Sequence, residues 1–501
     1  MNKETESTGK SKTKKRLSRL RNWLSLAGLV LSVAAMGAFV LLFLMDLFAD
    51  HANPYMGILA YVVSPMFFFT GLAMVILGYI LETRRISRGG EHKTDLRLNI
   101  DLSSKRDRRI LVLFLLGSVG FLFLTAFGSY ETYHLMETNN FCGETCHTPM
   151  EPEYKAYQHS AHAEVECVSC HIGPGTKAYI HTKVNGVKQM YHQVRGDFDR
   201  PIKIVNPNLR LAQETCQTCH WSQKHFGDVP KTFRHFLSDE SNSPFTVQMV
   251  LKVGGSDPVH GPVAGIHSHM NVANKIEFIA LDEDRQNIPW IRVTNAEGKV
   301  TEFRSEGFTD DVKKHEVRSM DCMDCHNRPA HKFLSPNEAV DQSMAMGRID
   351  TSIPWAKKNV VEVLAAQYAT REEAQAKIDS LLRKQYPDDK RVDSLVKETL
   401  SIYASNFFPE MKADWRAHPD FIGHKDTKGC FRCHDGKHMA SDGATTIKGS
   451  DCQACHLITA QGAGKDLLNI KPEGHEAFIH LDAEYSEPDC SSCHTGQLQQ
   501  E

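Results

Sequence analysis

The fourteen cysteines of this 501-residue chain fall into seven pairs with none left over, and a histidine follows every pair. The pairs are Cys142/Cys146, Cys167/Cys170, Cys216/Cys219, Cys322/Cys325, Cys430/Cys433, Cys452/Cys455 and Cys490/Cys493, followed by His147, His171, His220, His326, His434, His456 and His494. A disulfide framework gives no reason for histidine at all seven places, and zinc knuckles would want paired motifs at regular spacing. Cys-x-x-Cys-His is instead the mark of covalent c-type haem: two thiols add to the haem vinyls and the histidine binds the iron. The expectation is seven c-type haems, with these cysteines as attachment points and these histidines as proximal ligands. The first motif is irregular, because three residues separate its cysteines and Met150 stands three places beyond its histidine.

Covalent attachment of this kind takes place on the oxidising side of a membrane, so the chain from Cys142 onward should be exported. The segments before it agree. Residues 22–45 carry no charge, long enough to cross a bilayer and longer than the apolar part of a cleaved signal peptide. Further spans are expected at about 55–81, with Pro65 as a kink, and at 110–130. Eight lysines and arginines precede the first span, nine lie between Arg84 and Arg109, and the short turn after the first span has none. By the positive-inside rule the tail and the 82–109 loop are cytoplasmic, and the third span leads the haem region out.

Removing the cytoplasmic and membrane part leaves 41 basic against 52 acidic residues, about −11, which disfavours nucleic acid as a partner. Past Trp221 there is a long stretch without a motif. Phe245, Val247, Met249, Leu251 and Val253 keep strand period, and IPWIRVT and KVTEF read as a hairpin through NAEG. Beyond the fourth motif the pattern turns helical, with a capping box at Thr370–Glu373 and Ala374, Ile378 and Leu381 on one face.

Of 26 histidines, seven are proximal and two (His51, His92) lie among the spans, which leaves 17 for second axial positions. His162, His331 and His438 are the leading distal candidates, each close in sequence to a motif; His159, His192, His225, His235, His424, His475 and His480 follow. Met150 is either an axial ligand, which would raise the potential of the first haem, or an apolar filler beside it.

The run from the third span into CGETCHTPM, SAHAEVECVSCH and KVNGVKQMYHQVRG resembles the NapC/NirT (NrfH-like) family of membrane-anchored quinol dehydrogenases over about 129–221. Seven motifs, three spans and the long insertions are similar to the ImcH-type inner-membrane cytochromes. The resemblance implies menaquinol as electron donor at the first haem, near the outer membrane face, and periplasmic multihaem cytochromes as acceptors. It makes Met150 an axial ligand, with one residue more than the family's spacing, and places Lys183 at the quinol site. Where the family has an acidic residue this chain has Gln189, and Asp197 or Asp199 would have to serve instead.

The expected fold is a membrane-anchored multihaem cytochrome c: three transmembrane helices and an exported, mostly helical and irregular haem-packed region with a small β-rich and a helical insertion. Its parts are a basic cytoplasmic tail (1–22), the membrane region (23–130), a NapC/NirT-like domain with haems one to three (131–235), the β-rich insertion (236–315), haem four (316–335), the helical insertion (336–415) and a C-terminal domain with haems five to seven (416–501). The expected function is menaquinol oxidation at the inner membrane in anaerobic or extracellular respiration. Two other readings are a non-catalytic electron-transfer subunit of a membrane complex and a terminal reductase of nitrite or hydroxylamine.

Overall fold

The computed structural model describes residues 22–47, 59–88, 103–145, 147–172, 176–202, 212–220, 227–254, 265–270, 274–295, 297–449, 451–475 and 478. Most of the basic tail, much of the 82–109 loop, Cys146, His225, His480 and the seventh motif (Cys490, Cys493, His494) lie outside them. The chain divides into two compact units, Met1–Thr145 and Cys146–Glu501.

The first unit holds three long helices, α1 (Trp23–Leu47), α2 (Ser64–Ser87) and α3 (Lys105–Leu135). Trp23–Met45 and Leu59–Ser87 are each long and apolar enough to cross a membrane. Their outward faces carry bare Val30, Val33, Leu41, Phe67 and Ile76, a surface that lipid tolerates and water does not. Between α1 and α2 the backbones approach closely through small residues. A Cβ on Gly28 would strike the Gly71 carbonyl, and Ser25 and Ser32 donate to the Val75 and Phe68 carbonyls, each at 3.2 Å. Pro65 does not kink the second helix. It sits in the first turn of α2, after a π-turn at Leu59–Val63, where no intrahelical hydrogen bond is lost for want of its N–H. Helix α3 meets that π-turn: Ser129 donates to the Tyr61 carbonyl at 2.8 Å, and Phe121 packs on Phe39 and Phe68.

The second unit begins with helices α4 (His147–Gln158), α5 (Cys167–His171), α6 (Thr176–Arg195) and α7 (Ala212–Cys216). Two antiparallel sheets follow. Strand β1 (Val229–Phe236) pairs with β2 (Pro244–Leu251), and β2 pairs in turn with β8 (His456–Gly462), with a register shift at Gln248/Met249. Strands β3 (Lys275–Ile279), β4 (Trp290–Thr294) and β5 (Val300–Ser305) are flanked by β6 (Arg318–Ser319) and β7 (His438–Ala440). Both sheets therefore recruit a strand from beyond residue 416, and the 236–315 stretch is not a self-contained insertion.

Helices α8 (Pro336–Ala345), α9 (Ala356–Ala365), α10 (Arg371–Gln385) and α11 (Val392–Asn406) surround the largest apolar core, in which Val340, Val360, Leu364 and Ile378 are wholly buried. Thr370 caps α10 by accepting from the Glu373 N–H at 3.1 Å, while the Glu373 carboxylate reaches back to the Ala369 N–H. The buried row of α10 is Ala374, Ile378 and Leu382, and Leu381 is exposed, because the contact follows the four-residue ridge rather than the i+7 position. Asn242, with a left-handed backbone at φ 47°, fastens the β1–β2 turn to this core. Its amide donates to the Thr351 and Ile353 carbonyls and its oxygen accepts from the Lys357 N–H. Nearby, the buried Asp341 accepts from Lys357 Nζ at 2.6 Å, His235 Nδ1 at 3.0 Å and the Phe236 N–H at 3.0 Å.

Candidate haem-binding centres

The described Cys-x-x-Cys-His motifs, two to six, share one local shape. In motifs three, four and five the histidine N–H donates to the carbonyl of the first cysteine, from His220 to Cys216 at 2.7 Å, His326 to Cys322 at 2.7 Å and His434 to Cys430 at 3.0 Å. The second motif forms the single turn α5, and the sixth closes with the Cys455 N–H on the Cys452 carbonyl at 3.2 Å. A turn of this pitch sets positions i, i+3 and i+4 on one side, so two thiols and an imidazole face the same space. None of the eleven described cysteines is disulfide-bonded, and no cluster of three or more His, Cys, Asp or Glu shaped for a metal ion occurs among the described residues.

Two of the described motif cysteines are exposed, Cys430 and Cys219, the latter beside the half-buried Cys216. The Cys219 N–H closes the turn on the Cys216 carbonyl at 3.2 Å, and its sulfur meets the Thr218 hydroxyl at 3.9 Å. The physical reason lies in the chemistry of attachment. A thiol that adds to a haem vinyl is covered by the ring it joins, so the chain need not bury it.

Five motif histidines each face a second histidine from elsewhere in the chain. Ring centres are 6.1 Å apart for His171 and His331, 5.8 Å for His220 and His162, 6.3 Å for His326 and His267, 5.8 Å for His434 and His269, and 6.3 Å for His456 and His424. Two imidazoles that bind opposite faces of one iron through bonds of about 2 Å put their ring centres roughly 6 Å apart. The pairs have the spacing that a haem iron requires. Three of the second histidines are also oriented for it: Nδ1–H donates to a backbone carbonyl in His162 (Pro329, 3.1 Å), His331 (Glu153, 2.9 Å) and His269 (Ile266, 2.6 Å). That bond fixes the tautomer and turns Nε2 outward, as a metal-binding histidine would need.

The sequence candidates fare unequally. His162 and His331 each face a motif histidine, but not that of the nearest motif: His162 lies beside motif two and faces motif three, and His331 follows motif four and faces motif two. A residue a few places from a motif lies on the motif's own side of the ring plane, so the opposite ligand has to come from another segment. His438 has no such place. Its Nδ1 is bonded to Asp435 at 2.8 Å and its Nε2 to the Ile288 carbonyl at 2.6 Å, which makes it a buried strut between β7 and the β3–β4 connection. His424 is among the wider candidates, whereas His267 and His269 are not. Their signal, a His-x-His in a stretch without Cys, has no fixed spacing to any motif. His159, His192 and His235 bond through Nδ1 to the Lys155 carbonyl, Asp197 and Asp341, and none of them faces a motif histidine among the described ring contacts. Met150 is half-buried on α4, the helix that His147 opens.

Two more histidines are buried with ring nitrogens lacking a hydrogen bond, His475 at Nε2 and His418 at both. Burial, with the Arg328 cation nearby, pushes His418 down to about 4, so it is neutral and able to ligate at any ordinary pH. Beside it, burial works to raise the Glu153 carboxyl, but Arg328 at 2.7 Å and His331 outweigh it and hold it below the usual range.

Neighbouring motifs touch. The turn that ends in Cys216 packs against the turn that opens with Cys322, so motifs three and four meet. Arg432, inside motif five, donates to the Asp324 carbonyl of motif four at 2.6 Å and to the Arg285 carbonyl at 3.1 Å, and Arg285 pairs with the Asp324 carboxylate. The Lys252 N–H, just past the end of β2, donates to the Cys455 carbonyl of motif six at 2.8 Å.

Helix α6 carries Lys183 and Gln189, six residues apart and hence about 120° apart around its axis. Asp197 lies past its end, about 20 Å along the axis from Lys183 at 1.5 Å per residue, tied to His192 at 2.9 Å and Arg195 at 3.1 Å. The three do not converge on one point. What α6 does present is an exposed apolar face, Val184, Val187, Met190, Tyr191 and Val194, the last 88% exposed, and Lys183 lies on that same face.

Comparison with known proteins fits this arrangement. Residues 104–233 match the N-terminal region of the NapC/NirT cytochrome c family. The cytochrome c-type protein ImcH of Geobacter sulfurreducens is 36% identical over 495 residues, 95% of each chain. The cytochrome c-type protein NrfH of Wolinella succinogenes is 38% identical over 80 residues, 15% of this chain and 45% of that protein. No solved structure matches the chain.

Proposed function

The chain belongs to the ImcH-type membrane-anchored multihaem cytochromes c of the NapC/NirT family, and from that premise we propose that it oxidises menaquinol and passes the electrons to periplasmic redox proteins. On this reading it carries seven covalent haems, the third held by Cys216 and the exposed Cys219. It spans the inner membrane three times through α1, α2 and α3, and exposes the haem region to the periplasm. The 21 uncharged residues from 110 to 130 within α3 support the third span, and the lysine and arginine bias supports the orientation.

The observation that carries the reading is the exposed apolar face of α6. A helix with bare valines and a tyrosine, flanked by Lys188 and Arg195, is built to lie in a membrane surface rather than in water. A lipid-soluble quinol would reach such a face from the bilayer. Bound haem supplies one-electron acceptors, while a quinol gives up two electrons and two protons, so the residues beside it must manage charge and protons. Lys183, on the apolar face, can hydrogen-bond a quinol oxygen and stabilise negative charge that develops on it. Asp197, exposed and linked to His192, offers a carboxylate in contact with water for the released protons. Gln189, about 120° around the helix from Lys183, is assigned no contact with the quinol.

The test is reduction of the purified holoprotein by a menaquinol analogue. Rapid haem reduction is expected, and Lys183→Ala should slow it at least tenfold with the haem spectrum unchanged. An unchanged rate removes Lys183 from the site. A parent protein that the analogue cannot reduce favours the electron-transfer subunit, and turnover of nitrite or hydroxylamine with an artificial donor favours the reductase.

A further inference from the structure

We propose that one short turn, Ile266–Met270, supplies the second axial ligand to two irons, His267 to that of motif four and His269 to that of motif five. The inference rests on the motifs holding covalent haem and goes beyond the quinol reading, with which it shares no residue.

The geometry follows from the turn type. Ile266–Met270 is a 3₁₀ helix. At three residues per turn, positions i and i+2 point about 120° apart and stand only about 4 Å apart along the axis. The two imidazoles therefore diverge from one support, and each meets a different motif histidine, His326 at 6.3 Å and His434 at 5.8 Å between ring centres. His269 Nδ1–H is committed to the Ile266 carbonyl, which leaves Nε2 as its ligating atom.

The support is rigid. Ile266 and His267 N–H groups donate to the Lys252 and Val253 carbonyls at 2.8 and 3.0 Å, so the turn is pinned to the end of β2. Gly265, at φ +107°, makes that approach possible, since a Cβ there would strike the Lys252 carbonyl. On the opposite side the two motifs are clamped together by Arg432, Asp324 and Arg285, with Arg432 lying over the Phe421 ring at 3.7 Å. The distal ligands share one turn and the proximal ligands share one buried ion network. The two irons are thus held as a fixed pair, unlike the pairs whose distal histidines come from separate segments.

The test uses full-length holoprotein carrying His267→Met or His269→Met. Haem content by pyridine haemochrome should equal the parent's, because the cysteines are untouched. Each variant should lose one equivalent of the bis-imidazole low-spin electron paramagnetic resonance signal and shift one midpoint potential upward, since methionine raises haem potential relative to histidine. The potential that moves should differ between the two variants, and the double variant should lose two equivalents. His315→Met, whose ring pairs only with Asp310 and Phe308 among the described contacts, should change neither readout. If a methionine variant does not accumulate, the corresponding glycine variant is purified with imidazole, and return of the lost signal on adding imidazole is expected. A haem-loaded variant with the parent's signal and potentials overturns the proposal. A parent protein lacking covalent haem would instead overturn the reading of the motifs, a result visible before any variant is made.

Discussion

The helical module at 336–415 and the motif-bearing segments around it solve the problem of a core in opposite ways. In the module, Val340, Leu364, Ile378 and Leu395 close on one another with almost no exposed area, and the chain itself supplies the interior. Around the motifs the sheets contribute only small apolar clusters, and the space between segments is bounded by facing imidazoles and cysteine thiols. Buried ring nitrogens without hydrogen bonds occur in this second kind of region beside motif six, at His456 Nδ1 and His475 Nε2. A packed protein leaves few such atoms unless another group satisfies them. On the reading of the motifs as haem sites, bound haem would fill that volume and tie the segments together, so the chain needs fewer aliphatic side chains there. The exposed Cys219 belongs to the same pattern, a side chain the polypeptide leaves for the ring to cover.

The contrast can be broken in three places. The largest effect is expected from Cys322→Ser combined with Cys325→Ser, which removes the attachment point of the fourth haem. Holoprotein yield should fall severely, and whatever accumulates should lack one haem equivalent and melt far below the parent. A parent-like melt would mean that porphyrin is not part of the core. Next comes Leu364→Ala, which opens a cavity in the module and should cost about 3 kcal/mol of stability. Haem content and potentials should stay as in the parent, because the module's core is made without porphyrin. Their disturbance would show that the two kinds of core are not separable.

The smallest effect tests the tie between module and sheet at Asp341. Burial works to raise its carboxyl, but His235, Lys357 and Lys425 outweigh it and hold it below the usual 3.8. A depressed carboxylate stabilises the fold in full above its unfolded value and loses that contribution as pH falls through the folded one. Thermal unfolding of the holoprotein should therefore show an acid-labile component below about pH 4 that Asp341→Asn lacks. Equal acid sensitivity in parent and variant would remove Asp341 from that role.

By itself the sequence determined the chemistry and its repetition. Vinyl addition needs two thiols and an axial histidine at fixed spacing, so the seven motifs could be read without a fold, as could the long uncharged spans and the strand period around Phe245–Leu251. It also showed the irregular spacing of the first motif directly, and brought Lys183 into view through family resemblance. Only tertiary structure decided which histidine faces which. The second axial ligand is joined to its haem through space and not through the chain, so no spacing rule constrains it. That is why His331 faces motif two, His162 faces motif three, His438 serves as a strut and the His267–His269 turn stayed hidden in a stretch that looked like plain β-structure. The same reason separates Lys183 from Gln189 and Asp197: nearness in sequence along a helix sets a face and a distance, and those place the three apart.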